Sequence, residues 1–275
     1  MEARFTHKAV FSILAGIENW AYLYWDIGDH LLAQTWSLSI EEQFYLFFPA
    51  FFYLLLRLQV SERGKFVIFF SIVALSFAIK ISILDTNNPH SITRVYYGAD
   101  TRMDALFMGA LVAVISGVQR QGLVQLKEWC IGSVQVIAAI CLMAGIILGT
   151  SGSNLNFLYF GGFTLFAFAA AILILNLVEF DTGLVRTCLE FNPLVWIGKI
   201  SYSLYLVHFV FTGERNNGWV RDLFRDQSVS KYSLIGLEFL ASFVFATLFY
   251  YGVEKQGLHL FRKRRRIGAY TPSDK

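Results

Sequence analysis

Apolar residues along this chain lie in long uninterrupted blocks, and most charged residues lie between the blocks. The blocks are close to the roughly 20 apolar residues that a helix needs to cross a bilayer. They do not alternate between apolar and polar positions as barrel strands do, so the pattern favours helices. It predicts eight membrane spans, near residues 9–24, 38–57, 66–84, 103–118, 129–148, 157–178, 195–211 and 235–253.

Composition agrees with this pattern. The 275 residues are 56% hydrophobic and 16% charged, whereas soluble domains carry about 25% charged residues. The predicted fold class is therefore all-α, a polytopic integral membrane helical bundle. The polar start of the chain predicts no cleavable signal peptide. Three cysteines, Cys130, Cys141 and Cys188, follow no metal or disulfide spacing, so we interpret them as small residues facing lipid or core.

The distribution of Lys and Arg predicts the orientation. With the amino terminus in the cytoplasm, sixteen of the 23 basic residues fall in cytoplasmic segments and six in outer ones. Cytoplasmic loops of membrane proteins carry such an excess, so both termini are expected inside. We divide the chain into a transmembrane domain, 1–261, and a basic tail, 262–275, whose charges suit the anionic inner leaflet better than nucleic acid.

Two adjacent carboxylates, Glu41 and Glu42, mark the start of the second span. A structural explanation is available, because Ser37 or Ser39 could cap this helix and acids suit its first turn. That explanation accounts for one acid better than for two followed by Gln43. Ionisable residues at a membrane boundary are functional candidates.

The surrounding run closely resembles the acyltransferase 3 family, whose members carry the pattern WSLxxEEQFY. Residues 36–45 read WSLSIEEQFY. Residues 97–109, YGADTRMDALFMG, are similar to the family's RxDxLxxG element, and residues 197–208, IGKISYSLYLVH, to its GxxSYxxYLxH element. The matches extend from about residue 30 to about residue 255.

The resemblance implies a bacterial inner-membrane, multi-pass enzyme that moves acetyl from cytoplasmic acetyl-CoA to a hydroxyl of an envelope or exported saccharide. Its partners would be membrane lipids and the saccharide acceptor, without nucleic acid or metal. The oligomeric state stays open. By the same resemblance the site residues are Glu41, Glu42 and His208 for catalysis, and Trp36, Arg102, Asp104 and Tyr202 for substrate binding.

The predicted topology puts these residues at one depth, because the outer ends of spans two, four and seven carry them. A carboxylate, a guanidinium and an imidazole meeting there could bind a sugar and move a proton. Simpler alternatives remain: His208 as a structural hydrogen-bonding residue, Arg102 in an ion pair with Asp100 or Asp104, and Tyr202 with Trp36 as interface aromatics. Lys80, inside the third span, receives no role.

The chain also departs from the family pattern. Members carry, in their first span, an Arg or Lys and then a His eleven positions later that acts in acyl transfer. None of the five histidines here has that spacing, and Glu254-Lys255-Gln256 lacks the proline that usually follows the glutamate. The resemblance therefore implies that residues 1–261 form an acyltransferase 3-like domain without the family's first two spans, and we expect little activity from this chain by itself. The alternatives are a catalytically inactive remnant of such an enzyme and a lipid-linked sugar transporter or flippase.

Overall fold

The computed structural model describes residues 6–25, 27, 30, 32–120, 133–149, 156–179, 183–212 and 230–259. Within these ranges every regular element is helical and none is a strand, which confirms the all-α class. The α-helices are α1 His7–Leu14, α2 Glu18–Tyr24, α3 Trp36–Arg57, α4 Glu62–Ile83, α5 Pro89–Tyr97, α6 Met103–Arg120, α7 Ser133–Gly149, α8 Phe163–Glu179, α9 Gly183–Leu189, α10 Asn192–Thr212 and α11 Lys231–Phe249.

Four described helical segments are long and apolar enough to cross a membrane. They keep large apolar side chains on their surface, such as Phe70 and Leu248. Lipid rather than water suits such a surface, because a helix that is hydrophobic all round is a buried or membrane helix. The four segments are Glu62–Ile83, Leu158–Val178, Asn192–Thr212 and Tyr232–His259.

The count of eight spans stays a prediction. Two shorter apolar helices, Met103–Gly117 and Val136–Leu148, add to the four. Helix α3 has the same length as α4, 22 residues, but carries the Glu41-Glu42-Gln43 run near its amino end. The predicted basic tail and most of the segment between the predicted seventh and eighth spans lie outside the described residues.

The predicted first span, 9–24, is wrong as a single helix. Helix α1 ends at Leu14, α2 begins at Glu18, and Gly16 between them has φ 64°, which no right-handed helix contains. Asn19 is fully buried: its amide oxygen accepts from Gln43 Nε2 at 2.9 Å, and its amide nitrogen donates to the Tyr97 carbonyl at 3.3 Å. These polar groups are satisfied by α3 and by the end of α5 instead of facing lipid.

The segment between the predicted third and fourth spans, 85–102, contains a short helix. Helix α5 begins at Pro89, whose missing N–H and fixed φ suit a first helical position. The side chain of Asn88 caps the helix by accepting from the His90 amide at 3.0 Å.

The chain divides into two compact units. The larger comprises Thr6–Gly28 and Trp36–Glu190. Phenylalanines fill its core, where the Phe107 ring meets the rings of Phe44 and Phe69 at 5.5 Å each, edge to face or nearly so. Such rings attach α6 to α3 and α4.

The smaller unit comprises Met1–Phe5, Asp29–Thr35 and Phe191–Lys275. In it α10 packs along α11, with the Phe211 and Phe245 rings 4.8 Å apart.

Candidate active site

A tight turn links α5 to α6 and carries the charged residues of the second family element. The Gly98 amide donates to the Arg94 carbonyl at 3.0 Å as α5 ends. A Cβ on Gly98 would lie 1.9 Å from Arg94 Nη1, so the close passage of that guanidinium requires a glycine. The buried Thr101 hydroxyl bonds back to the Val95 carbonyl at 2.8 Å and closes the turn.

Asp100 pairs with Arg94, not with Arg102. Two parallel hydrogen bonds of 2.8 and 2.6 Å join the guanidinium to the carboxylate. Partial burial alone would raise the pKa of Asp100, but the hydrogen bonds and charge of Arg94 outweigh burial and hold that pKa below its ordinary value. The same hydrogen bonds raise the pKa of Arg94. Asp100 is therefore ionised at neutral pH.

Asp104 pairs with Lys80, the residue for which the sequence suggested no role. Lys80 Nζ lies 2.6 Å from Asp104 Oδ2 and donates to Thr164 Oγ1 at 2.9 Å, while the Thr164 hydroxyl donates to Asp104. Both charged side chains are almost completely buried. Asp104 Oδ1 also accepts from the Ala105 amide at 3.0 Å. The network joins α4, α6 and α8 and satisfies a buried ion pair with additional hydrogen bonds, as such pairs require.

Arg102 lies against aromatic rings. Its guanidinium carbon is 4.0 Å from the Phe163 ring centroid, 5.0 Å from that of Tyr96 and 5.7 Å from that of Trp36. Its Nε donates to the Tyr96 carbonyl at 3.1 Å. Among the described residues no carboxylate lies within ion-pair distance of Arg102, so the alternative of an ion pair with Asp100 or Asp104 is wrong. Trp36 and Arg102, both predicted site residues, are thus brought together.

A cavity of about 340 Å³ opens between α6 and α8. Its polar lining comes from Arg102 and Asp104 at the start of α6, and the rest is apolar. Small side chains, among them Gly109, Ala167 and Ala171, leave this space. The cavity has the composition of a ligand site, mostly apolar with a few polar groups at one end.

The two glutamates of α3 differ in environment. Glu41 is half-buried and Glu42 is exposed, although the carboxylate of Glu42 lies against Gly16. Neither carboxylate pairs with Arg102 within the described residues. Gln43 has a structural role, because its amide donates to the Gly16 carbonyl at 2.7 Å as well as to Asn19.

Ser39 does not cap its own helix. Its hydroxyl accepts from the Glu18 amide, the first residue of α2, at 3.3 Å. The capping explanation offered for Ser39 therefore fails, and Ser39 instead attaches α2 to α3.

His208 lies in the smaller unit, on α10. Its Nδ1 is 2.7 Å from the Tyr205 carbonyl and 3.2 Å from the Leu204 carbonyl. A carbonyl only accepts, so these contacts favour a proton on Nδ1; in the neutral imidazole that tautomer has Nε2 as its acceptor. The convergence of His208 with Arg102 and the glutamates stays a prediction.

The segment preceding α3 holds the turn that carries His208. The Tyr205 hydroxyl donates to the Gln34 carbonyl at 2.6 Å, and the Gln34 amide donates to the Leu206 carbonyl at 2.9 Å. Tyr202, the other predicted residue on α10, is half-exposed. Next to it, the buried Ser203 hydroxyl donates to Glu254 at 2.5 Å.

Sequence reasoning missed Lys80, Arg94 and Thr164. Lys80 gave a usable signal, since a lysine within an apolar block demands a partner. The identity of that partner, 24 residues away, depends on how α4 and α6 pack. Thr164 gave no signal, because threonine is common in membrane helices.

A family model described as an acyltransferase domain, acyltransferase 3, matches residues 4–253. The chain belongs to this acyltransferase family. The matched region contains all seven predicted site residues, from Trp36 to His208, and confirms the resemblance stated from the three elements.

Relatives of this acyltransferase-family chain occur in Staphylococcus aureus. One in strain MRSA252, named "Putative O-acetyltransferase", is 30% identical over 283 residues, which cover 98% of this chain and 44% of the relative. Another in strain NCTC 8325, named "O-acetyltransferase OatA", is 30% identical over 208 residues, or 70% of this chain and 32% of the relative. The chain thus spans less than half the length of these relatives. No solved structure matches it.

Proposed function

We propose that this protein is a multi-pass enzyme of the bacterial inner membrane that transfers acetyl from acetyl-CoA to a hydroxyl of an envelope or exported saccharide. The observation that carries the proposal is Arg102, whose guanidinium lies over aromatic rings at a cavity and has no ion-pair partner among the described residues. The names of the relatives supply the reaction class.

The chemistry needs a base and a positive charge. The acceptor hydroxyl oxygen attacks the acetyl carbonyl carbon and loses its proton to the base, while the carbonyl oxygen becomes negative. That charge then collapses, the carbon–sulfur bond breaks, and CoA leaves as the thiol after protonation. A fixed cation near the developing oxyanion stabilises the transition state.

His208 and the glutamates are the proposed bases. With its proton on Nδ1, His208 offers Nε2 as an acceptor, and imidazole is suited to proton transfer near neutral pH. The carboxylates of Glu41 and Glu42 are half-buried and exposed, respectively, and we assign one of them to accept the proton of the acceptor hydroxyl.

The remaining residues would hold substrate. Trp36 offers an aromatic face beside Arg102, and we assign both to substrate contact. Tyr202 offers a half-exposed phenol. Asp104 lines the cavity, but its carboxylate is engaged by Lys80, so we assign it to shaping the site.

The test is made in the bacterium that carries the gene, so that whatever accompanies the chain is present. The chromosomal codon is changed to give R102A, and alkali-labile O-acetyl is measured on purified envelope saccharides. R186A is the matched control, because Arg186 lies on the surface, paired with Glu190 at 2.8 Å. We expect R102A to match a gene deletion and R186A to match the parent.

Each result is decisive when both variant proteins accumulate in the membrane. If the deletion leaves every O-acetyl level unchanged, the proposed function is wrong. If the deletion removes O-acetyl but R102A retains it, the function stands and the assignment of Arg102 is wrong. Incorporation of label from acetyl-CoA into the saccharide by membranes of the parent strain, and its absence with membranes of the deletion strain, checks the donor.

A further inference from the structure

Two acids flank Arg102 in sequence, two residues away on either side, yet neither forms an ion pair with it. Asp100 is held by Arg94 and Asp104 by Lys80. Arg102 and Asp104 line the same cavity. Opposite charges that line one cavity attract each other strongly where water is scarce, and the pairing of Asp104 with Lys80 competes with that attraction.

Lys80 is the competing cation. It reaches Asp104 from α4 and is only 1% exposed, an expensive position for an ammonium group inside a membrane. Thr164 completes the pair by bonding to both charged groups. Stability alone does not explain this arrangement, because apolar residues of similar volume often replace a buried ion pair without loss.

Asp104 has a reason to be present that does not involve Arg102. Its Oδ1 accepts from the Ala105 backbone amide at 3.0 Å, at the position where the backbone N–H of residue 104 donates to the Ser76 hydroxyl at 3.2 Å. These bonds fix the start of α6 and hence the backbone of Arg102. The Asp104 carboxylate can serve this structural purpose without pairing with Arg102 only while another cation pairs with it.

The terminal nitrogens of the Arg102 guanidinium are available for binding. The guanidinium carbon lies 4.0 Å from the Phe163 ring centroid and 5.0 Å from that of Tyr96, and Nε donates to the Tyr96 carbonyl. The two terminal nitrogens make no hydrogen bond with the described residues, and Arg102 lines the cavity. Arginine binds carboxylate and phosphate oxygens through these terminal nitrogens.

We infer that Lys80 is a positioning residue: by holding Asp104 it leaves the Arg102 guanidinium available to bind an anionic oxygen, of a carboxylate or a phosphate, in the cavity between α6 and α8. The inference deepens the proposed function, on which the identity of the natural ligand rests. It predicts an asymmetry between the two members of the pair. Loss of Lys80 frees Asp104 to capture Arg102, whereas loss of Asp104 does not.

The test measures the chemical reactivity of Arg102 itself. The full chain, purified in detergent, is treated with phenylglyoxal, which modifies accessible guanidinium groups, and mass spectrometry quantifies modification of Arg102. We expect K80M to slow this modification at least fivefold, and D104N and K80M/D104N to stay within twofold of the parent. K80R, which keeps the charge, is the conservative variant and should also match the parent. Modification of the exposed Arg186 is the internal control and should be equal in all proteins.

A purely structural pair gives a different pattern. If K80M and D104N change the reactivity of Arg102 equally, or if K80M leaves it unchanged, the inference is wrong. K80Q, which removes the positive charge, replaces K80M if that protein does not fold, and the same fivefold slowing is expected of it. If neither single variant folds while K80M/D104N does, Lys80 serves stability alone and the inference is also wrong.

Protection identifies the anion. Inorganic phosphate and glucuronate, at equal concentration, are each added before phenylglyoxal. Protection by glucuronate alone indicates a carboxylate on the acceptor, and protection by phosphate alone indicates a phosphate group. Protection by both compounds confirms a site that binds an anionic oxygen of either group. Protection by neither compound shows that there is no such anion site. Since no step requires turnover, the inference can hold even if envelope O-acetyl shows that the proposed function is wrong.

Discussion

The ion pairs that contain Asp100 and Asp104 differ in how far their charged groups are exposed to water. The Arg94–Asp100 pair retains 26% and 37% of its side-chain exposure, whereas Lys80 and Asp104 retain 1% and 2%. Water screens the first pair, so its net contribution to stability is small. The second pair has no water to replace a lost partner, so removal of one member is costly.

The first prediction concerns pH and Asp100. Its pKa is lower in the folded protein than the unfolded value of about 3.9. The ionised form therefore stabilises the fold above that value, and the contribution is lost as pH falls through the lower, folded pKa. We expect thermal unfolding in detergent between about pH 2 and 6 to show a steeper acid-side loss for the parent than for D100N, with the difference concentrated below about pH 4. Exposed pairs contribute about 0.2–1 kcal/mol, so the difference should not exceed about 4 °C.

The comparison protein for that measurement is E190Q, which removes an exposed carboxylate paired with Arg186. It should keep the acid-side slope of the parent. Identical slopes for D100N and the parent would show that the pair with Arg94 does not lower the pKa of Asp100.

The second prediction concerns Ser203. Its buried hydroxyl donates to Glu254 at 2.5 Å, and S203A would leave that carboxylate without this donor. Hydrogen bonds to charged groups contribute about 1.5–3 kcal/mol. We expect S203A to lower the free energy of unfolding by this amount, measured by denaturant titration in mixed micelles.

Ser201 provides the matched control on the same helix. Its hydroxyl is exposed and donates to the Gly198 carbonyl within α10 at 2.9 Å. S201A should change stability by less than about 0.5 kcal/mol. Equal effects of the two substitutions would mean that the contact with Glu254 contributes nothing specific.

Sequence reasoning found the residues that are rare in membranes but not their partners. Arg102 was identified as a site residue, yet both acids proposed as its ion-pair partners are engaged elsewhere. Pairing depends on rotamers and on which helices pack together, and neither is encoded in spacing along the chain. The stacking of Arg102 on Phe163, a residue 61 positions later, is of the same kind.

At the scale of elements, the apolar blocks predict helices well where the block is free of polar residues. Helix α4 agrees closely with the predicted span 66–84, and α10 with 195–211. The failure at 9–24 has a local cause, because Asn19 could be satisfied only if the chain turned at Gly16 and brought α2 against α3. A hydropathy pattern records that a polar group is present but not that another helix is near enough to bond it.

The third prediction tests the turn at Gly16. An L-residue in the left-handed region costs roughly 1–2 kcal/mol, and a Cβ at Gly16 would lie 2.8 Å from Glu42 Oε2. We expect G16A to lower the free energy of unfolding by at least that amount. The double variant G16A/E42A removes the close contact with Glu42. It should therefore recover only the part of the lost free energy of unfolding that crowding causes.

Gly236 is the control for that substitution. It lies within α11 with open space around its Cβ position, and G236A should stabilise the protein by up to about 1 kcal/mol because alanine favours helix. A G16A protein as stable as the parent would show that the left-handed turn is not needed.

At the scale of the whole molecule, hydrophobic surface and charge serve different ends. Apolar side chains cover the outside of the long helices, which identifies the solvent as lipid but does not say which way the helices point. Direction comes from the basic residues, because cytoplasmic segments retain an excess of Lys and Arg. The sequence therefore predicts orientation from residues that contribute little to the fold.

The last prediction is that both ends of the chain face the cytoplasm. Sixteen of the 23 basic residues lie on that side in the predicted topology, five of them in the cluster from Arg262 to Arg266. Each basic residue near an anionic leaflet contributes about 1 kcal/mol to its attraction. A fluorescent reporter that matures only in the cytoplasm and a phosphatase active only in the periplasm are each fused after Lys275. We expect fluorescence and no phosphatase activity.

The same fusions placed after Asn87, in the loop between α4 and α5, are the internal control and should give the opposite result. Asn87 lies one predicted span beyond a cytoplasmic loop, so it is expected on the outer side. Five predicted spans, an odd number, separate it from Lys275, which is therefore expected on the opposite side. Phosphatase activity at both positions would refute the eight-span topology. Two outer positions must be separated by an even number of spans, whereas that topology places five between them. Neutralising the cluster from Arg262 to Arg266 should weaken the preference without reversing it, since the earlier cytoplasmic loops still hold more basic residues than the outer ones.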